Sequence, residues 1–180
     1  MKIQKIQALC KAAKRIIIFN DADEAIQWIS DGYCIFPLFN LPKLNEKNVY
    51  ALFDIPEDKQ GKIFFEEREE LPGSISFSDY DESEAAVKPE AFGISAYGRR
   101  LEIIRGSEGA TLYDARYFSV FEDDATFFER PRADGAPYIV VKEGMFLAGV
   151  LLPFEANTEL QEWLVNVGES LRVKDVAKPQ

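Results

Sequence analysis

The alternation of apolar and polar positions divides this chain into short elements. Near the N-terminus Ile3, Ile6, Leu9, Cys10 and Ala13 fall on one side of a helix read over residues 3–14, while Gln4, Lys5, Gln7, Lys11, Lys14 and Arg15 fall on the other. The β-branched run RIIIFND that follows reads as a strand ending in a turn at Asn20-Asp21. EAIQWIS and YCIFPLF then flank Asp31-Gly32, the strongest short hairpin signal, because both central positions of the favoured two-residue turn need positive φ. Pro37 cannot donate a ladder hydrogen bond and is expected at an edge or a strand end.

The middle of the chain changes character. A short helix is expected around Asn45 to Phe53, a turn at Pro56 to Gly61 and a strand at KIFFEE, before the acidic stretch SDYDESEAAVKPE, which reads as a mobile loop or linker. Strands resume with FGISAYG, RLEIIRG and ATLY, and Asp114 caps a short helix ARYFSVFED. ATFFERPR, YIVVKEG and MFLAGVLLPF are three further strands. Thr158 and Gln161 form a capping box for a last amphipathic helix carrying Leu160, Trp163, Leu164, Val167 and Leu171, with Trp163 read as an anchor to the core.

Each half therefore shows a helix followed by three antiparallel strands, the last two joined at an acid–glycine turn, Asp31-Gly32 or Glu143-Gly144, and the last reaching a proline. The expected fold is α+β: two β-α-β-β-β units with antiparallel sheets, helices on one face, and a C-terminal helix. Within a single domain over 1–180, residues 1–53 are the first unit, 54–91 an acidic connecting segment, 92–154 the second unit, 155–172 the C-terminal helix and 173–180 a tail.

Composition places this among folded proteins: 47% of the 180 residues are hydrophobic and 13% aromatic, enough for a sizeable core. The longest apolar run, Met145 to Phe154, is far short of a membrane span, and MKIQKIQALCKAAKR is too interrupted by charge for a secretory signal, so the cytoplasm is the default compartment. The net charge of −10 argues against nucleic-acid binding by the surface at large. Its distribution is uneven, with twelve acids and four bases from Asp54 to Glu90 but five bases and no acid in the first fifteen residues. The basic face of the first helix is either solvated or phosphate-facing, and Lys5, Lys11, Lys14 and Arg15 are its candidate nucleic-acid contacts.

Catalytic motifs are sparse. The chain has no histidine, which removes Ser-His-Asp and Cys-His pairs and the commonest metal ligand. Cys10 and Cys34 form neither a disulfide framework nor a metal set and read as buried thiols. Asp21, Asp23 and Glu24 begin like a calcium loop, but Ala25 and Ile26 break it. The clusters FEDD (121–124) and SDYDE (78–82) are the remaining candidates for a cation or an acid–base pair, and no phosphate-binding glycine loop is present. No cofactor is implied. Trp28, Tyr33 and Phe36 read as core or inter-half packing, whereas an exposed aromatic stripe beside the basic helix would favour a single-stranded nucleic acid.

The stretch DARYFSVFEDDATFFERPRADGAPYIVVKEGMFLAGVLLPF (114–154) resembles the closing unit of a bacterial DNA sliding-clamp domain, the polymerase III beta-subunit type. Its helix opens on a small residue and an aromatic pair, and a strand and a hairpin ending in an apolar-proline strand follow. The chain as a whole also looks like uncharacterised proteins carried by phages and mobile elements of gut Firmicutes. The resemblance implies a channel-lining helix presenting Lys5, Lys11, Lys14 and Arg15 to a DNA backbone, and a ring closed by homo-oligomerisation. The second helix departs from the clamp pattern, since beside Arg116 it carries Glu122, Asp123 and Asp124. The function expected from this is a non-enzymatic clamp-like binding protein in DNA replication or maintenance of a mobile element. The alternatives are an interaction or inhibitor module that docks its acidic segment on a basic protein partner and, third, a carboxylate-dependent enzyme.

Overall fold

The computed structural model describes residues 2–20, 26–107, 109–132, 135–160, 162–163 and 165–166. It contains helices α1 (Ile3–Ala13), α2 (Glu46–Leu52), α3 (Glu57–Gln60) and α4 (Ala115–Phe118). The strands are β1 (Arg15–Asn20), β2 (Gln27–Ser30), β3 (Cys34–Leu38), β4 (Phe64–Arg68), β5 (Ala85–Val87), β6 (Pro89–Ala96), β7 (Arg99–Arg105), β8 (Ala110–Asp114), β9 (Thr126–Arg132), β10 (Gly135–Glu143) and β11 (Phe146–Leu151).

An eight-stranded sheet in the order β4-β1-β2-β3-β11-β10-β9-β5 organises the molecule. Two antiparallel meanders, β1-β2-β3 and β9-β10-β11, meet through β3 and β11, where Ile35 pairs with Val150 and Cys34 with Leu151. Each meander follows a helix, α1 or α4, as the sequence pattern predicts. The expected β-α-β-β-β repeat is incomplete: among the described residues no strand precedes α1, and β8 belongs to a separate antiparallel sheet, β6-β7-β8. The main sheet is also mixed, because β4 runs parallel to β1 after the crossover through α2 and α3.

Strand periodicity divides the core. Ile16 and Ile18 pack on the helix side with Ile29, Phe36, Ile139 and Val141, where Ile6, Leu9 and Cys10 of α1 and Tyr117 of α4 close over them. Ile17 and Phe19 point the other way, with Trp28, Ile35, Tyr138 and Val140. Full burial of one such aliphatic side chain contributes about 1.5–3 kcal/mol, so both sides of the sheet need a cover.

On the second side the cover is the segment leading into the acidic stretch, which lays Ile75 and Phe77 on the sheet, Phe77 meeting Trp28 edge-on at 5.0 Å between centroids. The stretch that follows, expected as a mobile loop or linker, adds β5 to the sheet beside β9. Arg130, wholly buried, donates to Ser76 O, Ser78 O and Glu84, and Asp79 Oδ1 accepts from Leu147 N at 2.7 Å.

Four local expectations change. The Asp31-Gly32 hairpin forms, but only Gly32 has positive φ (100°); the loop is wider than two residues because Asp31 Oδ1 accepts the N–H groups of Tyr33 and Cys34 in place of the strand ladder. The turn with positive φ at both centres is Tyr97-Gly98, between β6 and β7. Pro37 sits within a central strand, tolerated because the β3–β11 ladder covers only Cys34 and Ile35. At the C-terminal end Asn157, not Thr158, caps the helical residues 158–160 through Leu160 N. Trp163 is 42% exposed rather than a core anchor, while Leu160 packs beside Leu101, Ile103 and Leu112. Gln161, Leu164, Val167 and Leu171 lie outside the described residues.

Candidate anion-binding site

The site begins where α1 stops. Ile6, Leu9 and Cys10 hold the helix on the sheet, and Lys14 ends it in the left-handed conformation (φ 52°), its N–H returning to the carbonyls of Cys10 and Lys11. The chain then turns directly into β1, so Arg15 is the first residue of a strand rather than part of the helix face. Lys14 consequently stands at a corner shared by two clefts.

The first cleft, about 570 Å³, lies between the end of α1 and the α2–α3 connection. Lys11, Lys14, Lys59 and Lys62 surround it, Ile55, Pro56 and Ile63 line it with apolar surface, and Asp54 contributes the one carboxylate. Lys11 Nζ is steadied by Asp54 O at 3.3 Å. Among the described residues Lys14, Lys59 and Lys62 have no carboxylate partner. An ammonium beside an apolar wall, with no protein counter-ion, is a point charge open to an incoming anion.

The second cleft, about 330 Å³, is bounded by Lys14, Arg15, Arg99 and Arg116 together with Tyr33, Phe64, Tyr117 and Asp31. Parallel pairing places Phe64 of β4 directly beside Arg15, whose guanidinium lies over the ring at 5.3 Å. Gly32 lets the turn approach from the other side: a Cβ there would come within 2.9 Å of Arg15 Nη1. Arg116 makes a forked contact to Asp114, closest at 2.6 Å, and Arg99 reaches the same carboxylate at 3.4 Å. Burial pushes the Asp114 carboxyl up, but hydrogen bonds from Arg116 outweigh it and hold the group below the usual carboxylate range. Asp114 is thus a fixed anion that orients two guanidinium groups still exposed to the cleft.

Asp31 forms the floor and is fully engaged. Its Oδ1 accepts from Tyr33 N, Cys34 N and Cys34 Sγ, and its Oδ2 from Tyr117 Oη at 2.9 Å. Burial, with the Asp31 charge added, pushes the Tyr117 phenol and the Cys34 thiol up, so both are neutral donors at physiological pH. Asp31 therefore positions the turn and has no acceptor capacity to spare for a ligand.

Of the four residues expected as nucleic-acid contacts, Lys11, Lys14 and Arg15 converge here. Lys5 is exposed on α1 and lines neither cleft. The structure adds Lys59, Lys62 and Arg99, which carried no signal in sequence, and brings in Arg116. Tyr33, read as packing, is 43% exposed beside Phe64 at 51%, whereas Trp28 and Phe36 are buried. The acidic clusters are committed locally: Asp79 caps Leu147 N, Asp81 accepts from Ser83, and no group of three or more Cys, Asp or Glu side chains among the described residues is gathered to hold a metal. No helix among the described residues is long and apolar enough to cross a membrane.

Fold and clefts together describe an α+β protein with a cationic, aromatic-edged double cleft. No family model matches the chain, and neither does any curated protein or solved structure.

Proposed function

We propose that the protein is a non-enzymatic nucleic-acid-binding protein that holds a phosphate backbone along the two clefts joined at Lys14. The observation that carries this reading is the concentration of Lys11, Lys14, Lys59, Lys62, Arg15, Arg99 and Arg116 around one continuous site in a chain of net charge −10. An acidic protein that gathers its cations in one place excludes anions elsewhere and steers them there. The clamp resemblance makes DNA of a mobile element the expected ligand and ring closure the expected assembly, although α4, at four residues, is too short to line a channel as α1 would.

The test is titration of labelled DNA at low and moderate salt, with light scattering on the same samples. Affinity that falls steeply with salt, and that disappears when Lys11, Lys14, Lys59 and Lys62 are changed together to Glu, supports the reading. Indifference to DNA at low salt rejects it. A closed oligomer that retains DNA would support the clamp form, and a monomer that binds DNA would reject the ring alone.

One observation favours a second reading, a module for a basic protein partner. Asp79 is bonded to Leu147 N, which brings the acidic 78–82 stretch, with Tyr80 72% exposed, to the hairpin tip where Met145 and Phe146 are 82% and 69% exposed. Loss of a co-purifying basic protein on changing Phe146 and Tyr80 to Ser would support it, and unchanged retention would count against it.

A further inference from the structure

We infer that the strand bound at this site is single, with an unpaired base stacked in the second cleft against Tyr33 and Phe64; the inference rests on the nucleic-acid reading above and specifies its ligand. A duplex offers a protein cleft its phosphates and keeps its bases stacked inside, so cations alone suffice to hold it. This cleft is built differently. Two aromatic side chains, 43% and 51% exposed, stand among its arginines, so the cleft offers stacking surface beside its cations.

The backbone beneath both rings is held in place. Tyr33 N donates to Asp31 Oδ1 at 3.0 Å and Tyr33 O accepts from Leu152 N at 2.9 Å, so the backbone is fixed on both sides while the ring projects. Phe64 is locked in the β1–β4 ladder, its N–H donating to Lys14 O at 2.9 Å. Arg15 lies over Phe64, and a guanidinium plane is itself a stacking surface for a base. A backbone fixed beforehand loses little freedom on binding.

The volumes and charges agree with a nucleotide-sized occupant. About 330 Å³ is at the lower end of the range for small-molecule pockets, near 300–1,000 Å³, and the cleft opens at Lys14 onto the larger, lysine-lined one. One nucleotide would put its base against Tyr33 and Phe64 and its phosphate toward Arg99 and Arg116, with the backbone continuing past Lys14. Stacking on rings discriminates weakly between bases, so binding with little sequence preference follows.

The experiment is fluorescence anisotropy of the full chain with labelled single-stranded DNA, single-stranded RNA and duplex DNA of equal length and sequence. Single strands are expected to bind at least about tenfold more tightly than duplex, the order of one base–aromatic stack. Tyr33→Ala and Phe64→Ala should each weaken single-strand binding about tenfold, with the slope of log affinity against log salt unchanged. Tyr33→Phe and Phe64→Trp, which keep a ring, should retain affinity, and thermal melts confirm that the variants fold. A preference between the DNA and RNA arms would name the sugar. Duplex bound as tightly as single strand, or Ala variants with undiminished affinity while the lysine-to-glutamate variant loses it, would overturn the inference and leave nucleic-acid binding intact. Absence of binding to all three would overturn both.

Discussion

Two groups of cations in this chain have opposite fates. Arg130 and Lys142 are buried on the loop-covered side of the sheet, where both reach Glu84, and Arg130 also satisfies the carbonyls of Ser76 and Ser78. Each side-chain nitrogen of the two has a protein acceptor, and the cluster fastens the acidic stretch to the sheet. At the Lys14 corner the lysines face open clefts, and the two arginines that share Asp114 keep 38% and 46% of their side chains exposed. A cation that folding has already neutralised has little left for a ligand; one that folding leaves facing a cleft carries its desolvation cost until a partner arrives. The same residue types thus mean structure in one place and binding in the other, and partnering decides which.

The comparison breaks hardest at Arg130. Replacing it with Met leaves the nearly buried Glu84 with one cation and takes a donor from the carbonyls of Ser76 and Ser78, for an expected loss of about 3–5 kcal/mol in urea unfolding. DNA affinity of the folded fraction should not move. A variant of unchanged stability would remove the structural role assigned to the cluster.

Acid tests what the two regions share. Burial raises the Glu84 carboxyl, yet hydrogen bonds from Lys142 and Arg130 bring it below its ordinary value, as Arg116 does for Asp114. With both folded values depressed, the unfolded chain takes up protons first. Their contribution is therefore complete above the ordinary carboxylate range, near pH 4, and is lost as pH falls through the depressed values. Melting temperature measured against pH should be level above that range and fall below it. Asp114→Asn should flatten the fall, and no change in its steepness would contradict the assignment.

Much of the fold is legible in residue order, and less of the site. The β-branched run at 15–20, the short helix after Asn45, the Asp114 cap and the two meanders follow from local pattern, because each is decided by neighbours in sequence. The turn at Asp31 is wider than its dipeptide predicts because its carboxylate replaces ladder bonds, a choice that dipeptide signals do not carry. The clefts depend on long-range pairing: only the parallel β1–β4 register puts Phe64 beside Arg15, and only the packing of α4 brings Arg116 to Lys14. Lys59 and Lys62 were hidden by the net acidity of 54–91, which summed over residues that the fold sends in different directions.

Gly32→Ala sharpens the cleft side at smaller cost. Its φ of 100° is unfavourable for any residue with a Cβ, and that atom would displace the Arg15 side chain from its place over Phe64. The expected loss is about 1–3 kcal/mol of stability, together with weaker DNA binding. Restored binding on adding Arg15→Lys, which is slimmer at its tip, would locate the defect at that contact, and binding unaffected by Gly32→Ala would remove Arg15 from the interface.

The smallest effect is the most discriminating, because its two parts have opposite signs. Lys14 closes α1 with φ 52°, where glycine is the favoured residue and a side chain adds strain. Only the charge at the shared corner of the clefts gives a reason for lysine there. Lys14→Gly should therefore raise stability by about 0.5–1 kcal/mol, read by thermal melting, while weakening DNA binding and lowering its salt slope by about one phosphate contact. Lys5→Gly, on the same helix but away from both clefts, should do the reverse, costing helix stability and sparing affinity. If the two variants lost affinity equally, the cations of α1 would be acting as a diffuse field. Only a loss confined to Lys14 is consistent with a ligand seated at that corner.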